Sequence, residues 1–270
     1  MRRITSRANP LVARFREVAR GRGPEGTILL DGMHLVEEAL ASGVALDVVA
    51  VSDAIADRDI RTVESGVVET GGEIVRAPAP VLAAMSPVRQ PSGIVALARA
   101  RSTTLDEALA GDVPLLLVLD GIQDAGNVGA IIRAAEACGA TGIVTTVGTA
   151  DPFGWKSLRG AMGSTFRLPV AARCAAADIV RRLRDREITL IASVPRAGTP
   201  LPSCNLRRPV AILLGGEGSG LSETLIAAAG ERMSIPMRAP VESLNVAVSA
   251  ALMLYEAAQQ RDRHVPVSRS

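Results

Sequence analysis

The apolar residues of this chain fall into short runs that alternate with helical patterns. From residue 27 onward, the β-rich runs TILL, LDVVAVS, GEIVRAP and GIVALAR are separated by the helical stretch GMHLVEEALASG and by a polar stretch. The segment ARSTTLDEALAGDV, residues 100–113, is polar and has no strand pattern. Such alternation is typical of a small sheet layered with helices. We therefore predict a smaller N-terminal α/β domain over residues 1–100 and a linker over 101–113.

The second half repeats the alternation more regularly, beginning with a strong strand. The predicted strands are 115–119, 142–147, 168–172, 189–194, 210–214 and 233–236. The predicted helices are 128–138, 175–186, 222–229 and 244–260. Most of these strands are continuous apolar runs, as expected for a parallel sheet that is covered on both faces. We assign residues 114–264 to this second α/β domain and 265–270 to a tail.

Composition excludes several classes of protein. Of the 270 residues, 48% are hydrophobic, so the chain can bury a core and is not disordered as a whole. Its apolar runs are shorter than the roughly 18 residues of a membrane span, and the start MRRITSRANPLVARF lacks the apolar segment of a secretory signal. Three dispersed cysteines and two histidines, His34 and His264, give no disulfide or metal-ligand spacing. We expect a cytoplasmic protein with no metal and no membrane partner.

Three segments of the second half carry polar residues where chemistry is possible. The first is LVLDGIQDAGNVGAIIRAAEACGA, a buried strand, a polar turn and a helix that Asn127 is well placed to cap. On that helix, Arg133 shares a face with Gly126, Gly129 and Ala130. This face either admits a bulky group such as a ribose-phosphate or is an ordinary solvated surface.

The second segment, VAILLGGEGSGLSETL, runs from a strand into a glycine-rich turn that contains Glu217. Glycines after a parallel strand let backbone amides approach a ligand at the carboxyl end of the sheet. A P-loop is excluded because no G-K-[ST] follows, and Leu221 stands where a Rossmann fingerprint has its third glycine. A flexible turn without a ligand is the alternative.

The third segment, MSIPMRAPVESLNVAVSAALMLYEAAQQR, contains a short strand, a loop and the longest helix, with Ser243 as the predicted N-cap. Ser243 and Asn245 in its first turn can face a site at the sheet edge. Capping alone explains Ser243, but it does not explain Asn245 on an otherwise apolar helix. The predicted apolar stripe of this helix consists of Leu244, Val248, Ala251, Leu252 and Tyr255.

In this order and spacing, the three segments resemble the signature motifs of the SpoU/TrmH family of RNA ribose 2′-O-methyltransferases, in the SPOUT superfamily. ITSRANPLVARF, TILLDGMHLVEEAL and QPSGIVALAR look like the substrate-binding domain of many members, so the resemblance covers nearly the whole chain. It implies a parallel-sheet α/β trefoil knot for the second domain, S-adenosylmethionine as methyl donor and a homodimer. Two departures, Ala125 in place of a common Pro and Gly216 in place of a polar residue, bear on specificity.

The resemblance also implies roles for individual residues. The catalytic set is Asn127, Arg133, Glu217, Ser243 and Asn245. The donor-binding set is Val194, Gly215, Gly216, Ile235, Met237 and Leu244. We expect Arg133 to hold the ribose-phosphate, and Glu217, hydrogen-bonded to Asn127, to position that arginine and the loop.

The net charge of +2 means that RNA contacts must come from local clusters of basic residues. Arginines are dense at positions 2, 3, 7, 14, 16, 20 and 22, and Lys156 and Arg159 lie beside Trp155. We predict RNA contacts by Arg7, Arg14, Lys156 and Arg159, the alternative being solvated helices and turns.

The predicted function is therefore methyl transfer from S-adenosylmethionine to a ribose 2′-hydroxyl of RNA. Ribosomal RNA is favoured over transfer RNA because the N-terminal domain resembles those of members that modify ribosomal RNA. A non-catalytic RNA-binding or ribosome-associated protein is the alternative, and the five polar residues of the catalytic set argue against it. A nicotinamide-dependent oxidoreductase is disfavoured by the missing third glycine.

Overall fold

A computed structural model describes residues 1–101 and 103–262 of the chain. The predicted tail and His264 lie outside this range. The strands are β1 (Arg2–Arg3), β2 (Thr27–Asp31), β3 (Leu46–Ser52), β4 (Glu73–Ala77), β5 (Ile94–Arg99), β6 (Leu115–Asp120), β7 (Gly142–Thr146), β8 (Val170–Cys174), β9 (Thr189–Ser193), β10 (Thr199–Pro200), β11 (Val210–Gly215) and β12 (Glu231–Ser234). The helices are α1 (Pro10–Ala19), α2 (Met33–Ala41), α3 (Asp57–Glu69), α4 (Ala79–Leu82), α5 (Leu105–Ala108), α6 (Ala125–Ala137), α7 (Trp155–Ala161), α8 (Ser164–Arg167), α9 (Ala176–Asp185), α10 (Glu223–Ala228) and α11 (Val246–Asp262).

The described chain forms two compact units. The first comprises residues 1–101 and 153–167, and the second comprises 103–152 and 168–262. The segment 153–167, which contains α7 and α8, therefore belongs to the first unit and not to the domain in which its sequence position put it. Part of the predicted linker is also ordered: α5 starts with a capping box of Thr104 and Glu107 and belongs to the second unit.

The first unit is built on a five-stranded sheet in the order β1-β4-β3-β5-β2. β5 pairs antiparallel with β2 and β3, whereas the other pairs are parallel. Side chains of β3 alternate between the two faces, so Val49 and Val51 pack with α2 and α3 while Val48 and Ala50 pack with α1 and α4. Both faces of the sheet are thus covered by helices.

The second unit is built on a seven-stranded sheet in the order β10-β12-β9-β11-β6-β7-β8, with parallel pairing throughout. All six residues of β6 are buried, because helices cover the central strands on both faces. β6 and β11 pair in register, with Leu115 opposite Val210 and Asp120 opposite Gly215. The carboxyl ends of these two strands therefore lie side by side, which determines where the site is built.

The predicted strands and helices of the second half correspond to elements of the structure, with ends shifted by a few residues. The apolar stripe predicted for α11 is wrong. Val248, Leu252 and Tyr255 are exposed, and the residues that α11 buries are Val246, Ala250, Met253, Leu254, Ala257 and Gln260. Among the described helices, none combines the length and the apolar character needed to cross a bilayer.

Candidate active site

Asp120 organises the loops at the carboxyl ends of β6 and β11. It is only 7% exposed, and its carboxylate accepts hydrogen bonds from Thr146 Oγ1 and from the backbone N–H of Ser222, each at 2.7 Å. The Asp120 carbonyl accepts the N–H of Gly216 at 2.9 Å. Asp120 therefore anchors both ends of the glycine-rich loop 216–221.

Two glycines allow this loop to fold closely against its surroundings. A Cβ on Gly215 would lie 2.3 Å from the backbone carbon of Gly220, and a Cβ on Gly216 would lie 2.3 Å from the carbonyl oxygen of Gly121. Neither distance is tolerable for a side chain. Gly216, which departs from the usual motif, is thus required here by the approach of the turn after β6.

The three motifs meet in a cluster of Asn127, Glu217 and Asn245. Asn127 Nδ2 donates to Glu217 Oε1 at 3.0 Å, which confirms the hydrogen bond predicted between these residues. Asn245 Nδ2 donates to Asn127 Oδ1 at 3.1 Å and lies 3.4 Å from Glu217 Oε1. These hydrogen bonds fix the orientation of both side-chain amides. The Glu217 carboxylate accepts from two donors, Asn127 Nδ2 and Asn245 Nδ2, which hold it in place.

Two predicted helix caps are wrong, and the corrections explain how this cluster forms. Asp124, not Asn127, caps α6, because its Oδ1 accepts the N–H of Asn127 at 2.8 Å. At α11 the capping oxygen is Asn245 Oδ1, which accepts the N–H of Ala247 at 2.9 Å, and Ser243 precedes the helix. The side chain of Asn127 is thus released from capping and reaches Glu217.

A cavity of about 470 Å³ lies beside the cluster. It is formed by the carboxyl ends of β9 and β11, by the residues that follow β9, β11 and β12, and by the first turns of α11. Glu217 and Ser243 are among its lining residues, together with all six residues of the predicted donor-binding set, Val194, Gly215, Gly216, Ile235, Met237 and Leu244. Its size is that of small-molecule and cofactor sites in general.

The lining of the cavity combines apolar side chains with polar groups. Val194, Ile235 and Met253 offer apolar surface, while Ser193 and Glu217 offer hydroxyl and carboxylate groups. The described residues contain no group of three or more His, Cys, Asp or Glu side chains that could hold a metal ion.

Arg133 forms no hydrogen bond or ion pair with the described residues of this cluster. It is exposed on α6, and among the described residues it has neither a hydrogen bond nor an ion pair, including none with Glu217. It also does not line the cavity. Its guanidinium is therefore free to bind a group that enters from outside, and direct positioning by Glu217 stays a prediction.

The four residues predicted to contact RNA all lie in the first unit. Arg7 Nε donates to the carbonyl of Pro80 at 3.0 Å, and Lys156 Nζ is 5.5 Å from the centroid of the Trp155 ring. Arg159 is exposed. Arg14 differs from the others, because its Nη2 pairs with Asp47 Oδ2 at 2.7 Å and its charge is compensated.

Sequence reasoning missed Asp120, Ser249 and Met253. Asp120 had a signal, since it is the one charged residue of the otherwise apolar run LLLVLD and stands at the carboxyl end of its strand. Ser249 and Met253 line the cavity from α11, and nothing in the pattern of that helix distinguishes them from its other small or apolar residues.

Family models match the chain in two regions. The model described as the SpoU rRNA Methylase family matches residues 114–255. The model described as an MRM3-like substrate binding domain matches residues 11–96.

Relatives and solved structures match over nearly the full length. An uncharacterized tRNA/rRNA methyltransferase of Synechocystis is 35% identical, covering 96% of this chain and 94% of that protein. The 23S rRNA (guanosine(2553)-2′-O)-methyltransferase RlmP of Bacillus subtilis is 30% identical, covering 94% and 98%. The crystal structure of an AdoMet-bound rRNA methyltransferase from Sinorhizobium meliloti is 28% identical and has a TM-score of 0.87, covering 98% of each chain. These matches confirm the predicted fold class.

Proposed function

The chain belongs to the SpoU rRNA methylase family, and from this premise we propose that it transfers a methyl group from S-adenosylmethionine to a ribose 2′-hydroxyl of RNA. The observation that carries the proposal is the convergence of three distant segments on one site. Asn127, Glu217 and Asn245 are hydrogen-bonded to one another beside a cavity that the predicted donor-binding residues line.

The cavity suits S-adenosylmethionine in size and chemistry. When bound, this molecule supplies an electrophilic methyl group on a positively charged sulfur. Apolar side chains such as Val194 and Ile235 would hold the adenine, and the Glu217 carboxylate gives the cavity a negative charge that favours a cation. The relative from Sinorhizobium meliloti, whose structure contains AdoMet, supports the assignment.

We assign substrate positioning to Arg133. Methyl transfer to oxygen is an in-line displacement, so alignment of the hydroxyl with the methyl carbon carries much of the rate acceleration. A guanidinium that has no hydrogen-bond or ion-pair partner among the described residues can bind a phosphate of the RNA and stabilise negative charge that develops on the ribose oxygen. Asn127, Glu217 and Asn245 hold the loops that shape the donor cavity, and Ser243 lines it.

Ribosomal RNA is the proposed substrate. Both the Bacillus subtilis and the Sinorhizobium meliloti relatives are named for rRNA and match over the N-terminal region as well. The match of residues 11–96 to a substrate-binding domain makes this region the proposed RNA-binding part of the chain. Arg7, Lys156 and Arg159 are the proposed contacts, and the ion pair with Asp47 makes Arg14 a weaker one.

We further propose a cytoplasmic homodimer. Val248, Leu252 and Tyr255 form an exposed apolar face on α11, at spacings of four and three residues, which a second copy of the chain can cover. Cys138, Cys174 and Cys204 are free thiols, as expected in a reducing compartment.

Tritium transfer from methyl-labelled S-adenosylmethionine to bacterial ribosomal RNA that lacks the modification tests the function. After nuclease digestion, we expect the label in a 2′-O-methyl nucleoside. Label on a base, or no label from any ribosomal RNA fraction or assembly intermediate although the donor binds, would contradict the proposal.

A further inference from the structure

The first unit contains a cleft that the proposed reaction does not use. Its volume is about 480 Å³, and its aromatic, charged and hydroxyl-bearing lining residues are Trp155, Arg16, Arg20 and Ser86. The other lining residues are apolar and mostly small, such as Ala83 and Pro87. All of these residues belong to the first unit, so the cleft is complete within it.

Trp155 provides an aromatic wall. It is the only tryptophan of the chain, and it is partly buried because it packs against the core cluster that contains Val81 and Leu82. The Lys156 ammonium lies 5.5 Å from its ring centroid. Arg159 follows Trp155 by four residues on α7, so it projects on the same side of the helix. Indole rings stack with nucleic-acid bases of any sequence, and neighbouring cations strengthen such sites.

Arg16 provides a charge that no carboxylate of the described residues neutralises. Most of the arginines near the N-terminus are paired with carboxylates, namely Arg2 with Glu73, Arg3 with Asp53, Arg14 with Asp47, and both Arg20 and Arg22 with Glu17. Arg16 instead donates Nε to the carbonyl of Ala84 at 2.9 Å, and no ion pair joins it to a described carboxylate. Its outer guanidinium nitrogens are therefore available at the cleft.

Ser86 adds a polar group of defined direction. Its hydroxyl donates to Asp31, which is only 8% exposed, and its oxygen accepts the N–H of Val88 at 2.9 Å. Burial raises the pKa of the Asp31 carboxyl, while the Ser86 hydrogen bond and the charge of Arg159 lower it in part. Because the Ser86 hydrogen is committed to Asp31, Ser86 can only accept a further hydrogen bond, as from an amino group of a base.

We propose that this cleft binds one unpaired nucleotide of the RNA, with its base against Trp155 and a phosphate on Arg16. The inference rests on the proposed function for the identity of the polymer. An aromatic wall beside an unpaired guanidinium is the combination that binds single-stranded RNA, whereas a base inside a duplex is stacked on both sides and cannot reach the indole. An acidic protein segment would use the arginine but not the indole.

The fluorescence of Trp155 reports on this cleft alone, since the chain has no other tryptophan. We would titrate the full-length protein with a short unstructured oligoribonucleotide, with a blunt-ended RNA duplex of equal charge and with polyglutamate. Saturable quenching by the unstructured RNA, and weaker quenching by the duplex and polyglutamate, is expected. Equal quenching by polyglutamate would assign the cleft to an acidic protein, and absence of quenching by the unstructured RNA would overturn the proposal.

Variants test the same point without relying on the fluorophore. By anisotropy of a labelled oligoribonucleotide, Trp155→Leu should weaken binding at least about fivefold, whereas Trp155→Phe should retain most of it. Arg16→Gln should weaken binding and reduce the salt dependence by one phosphate contact, a slope change of about 0.7. Arg61→Gln is the matched control, because Arg61 is exposed on α3, which packs with the other core cluster. Unchanged affinity in both Trp155→Leu and Arg16→Gln would refute the proposal that the cleft binds a nucleotide.

Methyl transfer by the same preparations separates this inference from the proposed function. If the wild-type protein labels ribosomal RNA and the two cleft variants do so with unchanged KM, the cleft assignment fails and the function stands. If the wild-type protein labels no RNA, the proposed function fails, and the titrations still decide whether the cleft binds unpaired RNA.

Discussion

At the scale of single residues, the site depends on which of two polar side chains caps α6 and which one is left to contact Glu217. Asp124 and Asn127 both suit the N-cap of α6, and the side chain of either can accept the same kind of hydrogen bond. The sequence indicates that a cap lies there but not which residue provides it. The choice follows from a tertiary contact, the hydrogen bond of Asn127 to Glu217, ninety positions away in the chain.

Arg133→Ala should abolish most methyl transfer while leaving donor binding unchanged. The guanidinium makes no hydrogen bond or ion pair with a described residue and does not line the cavity, so its loss should remove a substrate contact only. Loss of one preorganised donor to developing charge lowers rates by about 10²–10³-fold. Single-turnover transfer and equilibrium binding of S-adenosylmethionine measure the two effects. Arg133→Lys should stay impaired, since an ammonium cannot replace a planar guanidinium fork, and full activity in either variant would refute the assignment.

Asn245 has two functions that substitutions can separate. Asn245→Asp keeps the oxygen that caps α11 but loses the N–H group that donates to Asn127. The new carboxylate is repelled by Glu217 but is favoured by the N-terminus of α11, so we expect near-wild-type unfolding in urea together with strongly reduced transfer. Asn245→Ala loses both functions and should also cost about 1 kcal/mol of stability. If Asn245→Asp is fully active, the cluster is not needed for catalysis.

At the scale of elements, the sequence predicts which segments are helices better than it predicts which faces they bury. The apolar residues VAVSAALMLYEAA of α11 surround the helix, so periodicity alone does not choose a face. Tertiary packing, chiefly against α6, decides it, and Ala250, Met253, Leu254 and Ala257 are among the residues that α11 buries. The predicted stripe failed for this reason, and three of its five members, Val248, Leu252 and Tyr255, are exposed.

Arg261 anchors the end of α11 and should be a main contributor to its stability. Its guanidinium donates to the carbonyls of Val113 at 2.8 Å, Pro114 at 3.2 Å, Leu206 at 2.9 Å and Arg208 at 3.0 Å. Arg261→Met leaves these acceptors without their donor and should lower the free energy of unfolding by about 2 kcal/mol. Urea denaturation measures it, with the exposed Arg232→Met as control. Equal stability of the two variants would mean that water replaces the guanidinium without cost.

At the scale of the whole molecule, the alternation of strands and helices was sufficient for the α/β class but not for the arrangement of strands. The order β10-β12-β9-β11-β6-β7-β8 joins segments that are distant in sequence, and no local pattern encodes such pairings. The same limit applies to 153–167. Phe153, Leu158 and Phe166 pack with a core cluster of the first unit, which periodicity within the segment cannot reveal.

The proposed homodimer gives a prediction that concerns the complete molecule. Val248, Leu252 and Tyr255 are 49%, 42% and 61% exposed in the single chain, so Leu252→Glu should leave the thermal stability of the isolated chain nearly unchanged. In a dimer that covers this face, the same change buries a carboxylate without a partner and should shift sedimentation velocity from dimer to monomer. Val68→Glu, at an exposed apolar residue of α3, is the control and should remain dimeric.

Because α11 starts at the Asn245 cluster, a monomeric Leu252→Glu variant should also lose methyl transfer. If Leu252→Glu remains dimeric, the subunits meet at another surface.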